Sequence, residues 1–136
     1  MRPSLPATLA CPRPTESLHP GAHRMLMALR SAAALRERGH DPMERTTRWL
    51  GSERRAAAFL VLLANAGAAW PDPIAVHRMF CPRLTPDEGL ILDCIALAAC
   101  EDQPRFDRHT HEMLGSDGRE ALWRAACRFV ACCGER

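Results

Sequence analysis

An all-α fold, a compact bundle of about six helices with two apolar ones at the centre, is what this sequence predicts, and three observations predict it. Apolar residues recur at spacings of three and four in segment after segment. Pro, Gly and short polar capping residues punctuate those segments where helices start and stop. No run alternates apolar and polar residues as a half-buried strand would. Composition agrees: Tyr is absent, with three Trp and four Phe, so the core must be built from Leu, Ile, Val, Met and Ala.

The first 19 residues hold Pro3, Pro6, Pro12 and Pro14 and little periodicity, which predicts a flexible Pro-rich arm (1–19) ahead of a single helical domain (20–136). Pro20 suits the first turn of a helix that runs to about Arg38 and stops at Gly39. Its apolar stripe is Ala22, Met25, Leu26, Leu29, Ala32 and Ala33, which leaves Arg24, Arg30, Glu37 and Arg38 outside. Asp41, Pro42 and Glu44 have the form of a capping box for a short helix to Leu50, with Met43, Thr47 and Leu50 inward and Glu44 paired with Arg48. Gly51 ends it. Ser52 then caps a helix to about Ala69 that carries no charge beyond its first turn and is expected at the centre.

Pro71, Pro73 and Pro82 make Trp70–Leu84 a long connection, with a single turn of helix expected near Ile74–Met79. Thr85, Pro86 and Glu88 repeat the capping logic and open a second central helix to about Cys100, in which Asp93 is the one charge between Gly89 and Cys100. A shorter helix runs from Pro104 to Leu114. Ser116 or Asp117 caps the last, to about Cys133, with Glu120, Arg124 and Arg128 wet and Leu122, Ala126, Phe129, Val130 and Cys133 inward.

Charge and cysteine content bound the function. All 18 basic residues are Arg, against 16 acids, for a net charge of +2. That balance is too small to imply a nucleic-acid or membrane surface, and the Arg bias fits a GC-rich bacterial genome. The uncharged stretch Ala56–Pro71 is shorter than the roughly 20 apolar residues a membrane span needs. Seven cysteines without a CxxC pair, and no secretory signal, point to free thiols in a reducing cytoplasm.

Candidate chemistry concentrates in the loop between the two apolar helices. His77, Arg78, Cys81 and Arg83 are polar residues on a connection, where binding groups are often mounted. A Cys-Pro pair near a His can ligate haem iron or activate a thiol, so Cys81 and His77 define a thiol- or haem-responsive sensor as one alternative. The plainer alternative has Met79 and Phe80 plugging the core while Cys81 fills a gap. Asp93 needs a partner, and Arg78 or Arg83 from the adjoining loop are the expected ones. His109 and His111, and Cys127, Cys132 and Cys133, lack the spacing of structural zinc ligands, so no metal and no cofactor is expected. The helix after Leu84–Glu88 resembles the start of a helix-turn-helix regulator, but the next helix mixes Arg105 and Arg108 with Asp107 and Glu112 and offers no recognition face. A DNA-binding regulator is the weaker alternative.

The segment Cys81-Pro82-Arg83-Leu84-Thr85-Pro86-Asp87-Glu88, with the apolar helix behind it, resembles a group of small all-helical alphaproteobacterial proteins. The resemblance implies a helical cytosolic domain and supplies no catalytic residues. The leading expectation is a small helical module without enzymatic activity that binds another protein or itself through apolar surface left over from the bundle.

Overall fold

A computed structural model describes residues 13–134, and among the described residues there are six α-helices, one short 3-10 turn at Thr15–Ser17 and no strand. The helices are α1 (Pro20–Glu37), α2 (Met43–Leu50), α3 (Glu53–Ala69), α4 (Pro86–Ala99), α5 (Gln103–Thr110) and α6 (Ser116–Cys133). The chain is thus all-α. None of these helices is long and apolar enough to cross a membrane.

Several boundaries follow the capping residues. Ser52 accepts a hydrogen bond from the Arg55 N–H at 3.1 Å and starts α3. Gly51, at φ 95°, ends α2 in the left-handed region that a side chain would oppose. Thr85 and Glu88 close both halves of a capping box on α4. Elsewhere the local chemistry differs from expectation. Asp41 accepts from Met43 N–H, two residues on, and α2 begins at Met43, so no box forms with Glu44. Asp102 rather than Pro104 sets the start of α5 by accepting from Arg105 N–H, and α5 ends at Thr110, before Leu114. Gly115 is the cap residue of α6, without a side-chain bond.

The main core joins α3, α4 and α6. Both apolar helices pack along α6, whose Leu122, Ala126 and Phe129 are buried as its periodicity predicts, while Cys133 at its end is exposed. Phe59 of α3 meets Phe129 of α6 with ring centroids 5.2 Å apart, and Phe106 of α5 meets Trp123 of α6 at 5.0 Å. Each such ring removes about 1.5–3 kcal/mol worth of apolar surface from water. α1 and α2 pack together at one side, with Thr46, not Thr47, fully buried. A second cluster of Leu26, Met27, Leu84 and Leu92 lies where α1 crosses the start of α4, and Met25 and Trp49 touch both clusters.

Of the expected arm, residues 1–12 lie outside the described residues. Residues 13–15 are docked: Leu84 N–H donates to Arg13 O at 2.9 Å and Thr15 N–H to Pro82 O at 2.8 Å. The expected helical turn at Ile74–Met79 is absent. Ala75 N–H donates to Asp87 Oδ2 (2.8 Å) and His77 N–H to Glu88 Oε2 (3.0 Å), and both bonds leave the segment, so it forms no turn of its own.

Candidate functional site

The loop between α3 and α4 is organised by a residue that the sequence places outside. Arg30 is four residues past Leu26 and three past Met27, which puts it on the same helical face as two buried side chains, and it is 2% exposed. Hydrophobic periodicity assigns a guanidinium to solvent; here five acceptors replace the water. Arg30 Nε donates to Glu88 Oε2 at 2.9 Å and Nη2 to Glu88 Oε1 at 3.0 Å, a bidentate pair. Its remaining N–H groups reach three loop carbonyls: Met79 O (3.2 Å) and Cys81 O (2.9 Å) from Nη1, and Arg83 O (2.8 Å) from Nη2. All five donors of the side chain are used.

Glu88 is equally complete. Besides Arg30 it accepts from Thr85 N–H at 2.9 Å and His77 N–H at 3.0 Å. Burial pushes its carboxyl up, but the Arg30 hydrogen bonds, the two backbone N–H groups and the Arg30 charge together outweigh burial and hold it below its ordinary 4.5. The same Glu therefore caps α4 and pins the loop onto α1.

The candidate residues divide accordingly. Cys81 and Arg83 join the network through their carbonyls, and His77 through its backbone N–H. The side chains of His77 and Arg78 line a groove of about 370 Å³ between α1 and the loop, opposite Ala33, Ala34 and Glu37. At Ile74 and Val76 the groove runs into an apolar cavity of about 230 Å³ walled by Leu29, Ala32, Leu63, Gly67 and Pro73, with Arg36 at its edge. Phe80 plugs nothing: it is 83% exposed, while Met79 packs against the second cluster.

Asp93 is not part of this site. It pairs with Arg13 at 3.3 Å and with His109 Nε2 at 3.2 Å, and with neither Arg78 nor Arg83. Five residues past Glu88, it lies about 140° further round α4, away from the loop. A Cβ on Gly89 would sit 2.5 Å from Arg13 Nη2, so this glycine leaves the room in which Arg13 crosses α4 to reach Asp93.

No group of three or more His, Cys, Asp or Glu side chains able to share a metal ion is present among the described residues. The six described cysteines are free. Burial, with the neighbouring Asp93 charge, pushes the Cys94 thiol up to about 12, and burial raises Cys127 and Cys133 as well, so these thiols are held in the unreactive form. Sequence reasoning missed Arg30 and the walls of the groove; the available signal was a capping Glu with an unclaimed carboxylate and an Arg in register with Leu26. Comparison of the chain with protein-family models, with curated proteins and with solved structures finds no match in any of the three.

Proposed function

We propose that the chain is a helical protein-interaction module of the bacterial cytoplasm, without enzymatic activity, that docks its partner on the Arg78–Arg83 loop and the adjoining groove. The observation that carries this reading is Phe80, 83% exposed on a loop whose backbone is tied to a buried arginine through three carbonyls. A large aromatic side chain held out in water on a fixed backbone has the character of an interface anchor, because it loses little conformational freedom when covered. Arg78 and Arg83 flank it, and an aromatic residue beside arginines is the composition enriched at interface centres. Free thiols suit a reducing compartment.

Photo-crosslinking tests the reading. Benzoylphenylalanine replaces Phe80 in one variant and the exposed Ala57, on the outer face of α3, in another, and both are irradiated in living cells. A discrete cross-linked species from position 80, absent from position 57, is the expected result. No product from position 80 would remove the interaction reading.

A further inference from the structure

We infer that the occupant of this surface is a second copy of the same chain, related by a two-fold axis, with Phe80 of each protomer seated in the apolar cavity of the other. The inference rests on the interaction reading and adds the partner's identity. Its first support is a match of size and chemistry within one chain. The cavity beside Leu63, Gly67 and Ile74 measures about 230 Å³ and its walls are mostly apolar. An apolar cavity of roughly 150 Å³ already accepts a benzene ring, so the phenyl ring of Phe80 has room.

The second support is placement. Met79, next to Phe80, lines the groove, and Ala33, Ile74 and Val76 line both groove and cavity. The hole thus opens into the depression whose far wall includes Met79, the residue before the knob. A two-fold axis through that depression exchanges them, so the contact closes on itself as an isologous dimer; on opposite faces the same pair would build a filament.

The third is charge. Among the described residues Arg78 and Arg83, beside the knob, form no ion pair, and neither do Glu37, which lines the groove, and Asp72, next in sequence to the cavity residue Pro73. The two-fold operation brings each basic pair toward the other protomer's acidic pair. Arg36, which lines the cavity, offers its guanidinium to the face of the incoming ring.

Light scattering coupled to size-exclusion chromatography decides the matter, with two variants that attack opposite halves of the contact. Phe80→Asp removes the knob from an exposed position. Gly67→Leu fills the hole from a site where a Cβ meets nothing within 4 Å, so neither change disturbs the bundle, as circular dichroism will verify. At about 100 µM, where a micromolar interface is mostly filled, the wild type is expected at twice 15.1 kDa. Each variant is expected to weaken self-association at least about tenfold. Their equimolar mixture should recover part of it, because one Phe80 then finds one open cavity. A monomeric wild type, a dimer that persists in both variants, or a mixture without recovery would each overturn the inference. A monomer that nevertheless cross-links from position 80 to a different protein refutes self-docking alone; no cross-link at all removes the interaction reading with it.

Discussion

Arg30 and Glu88 touch no water, and each finds in the other the charge that makes its burial tolerable. Removing one partner strands the other. Arg30→Met is therefore expected to lower stability by about 3–5 kcal/mol, measured by urea unfolding. Arg30→Met combined with Glu88→Gln should be less destabilised than Arg30→Met alone, since a neutral Gln still suits the third position of a capping box. The pH dependence follows from the lowered carboxyl of Glu88. A depressed folded value contributes stability that is fully present above the ordinary 4.5 and is lost as pH falls through the lower folded value. The wild-type urea midpoint should fall on acidification below that point more steeply than that of the double variant, in which the group no longer titrates. Parallel curves would show that the pair does not set acid stability. Half of this pair was legible in the sequence: Thr85 and Glu88 announce a cap, whereas Arg30 is separated from Glu88 by 58 positions and reads, one residue at a time, as a solvent-facing charge.

At the scale of elements, Thr85 links three pieces of chain. Its Oγ1 accepts from Glu88 N–H at 2.9 Å and donates to Ala75 O at 2.7 Å, so the cap of α4 also holds the segment that walls the groove. Thr85→Ala is expected to cost about 1–2 kcal/mol of stability and to speed hydrogen exchange at the Ala75 and His77 amides, with Thr85→Ser restoring most of both. Unchanged exchange at those amides would detach the cap from the loop. The helices that begin at Ser52 and Thr85 were readable because their caps are closed by neighbours three residues away. The segment after Pro73 reads locally as a turn of helix, but its N–H groups are claimed by Asp87 and Glu88 from the following helix, and no local pattern records that. For the same reason chain proximity points Asp93 to Arg78 or Arg83, whereas helical geometry turns it toward Arg13 and His109.

For the molecule as a whole, the fold class follows from stripes that each helix must bury, and α6, the most regular of them, supplies the surface on which both apolar helices pack. How the helices close around the loop is a property of the ensemble of contacts, because the two apolar clusters are bridged by Met25 and Trp49, which touch both. A bundle bridged in this way is expected to unfold as one cooperative unit, which can be tested from its weaker side. Leu84, 2% exposed, belongs to the small cluster together with Leu26, Met27 and Leu92. Leu84→Ala removes buried methyl groups there at a cost of about 2–5 kcal/mol. Trp49 reports on both clusters, Trp70 and Trp123 on the main one, and far-UV circular dichroism on all the helices. If the clusters are coupled through Trp49 and the Arg30–Glu88 pair, tryptophan fluorescence and circular dichroism will shift together in Leu84→Ala and remain a single coincident transition. Separate transitions would mean that the loop and the small cluster open on their own, with the groove and Phe80 carried on a unit that melts before the bundle does.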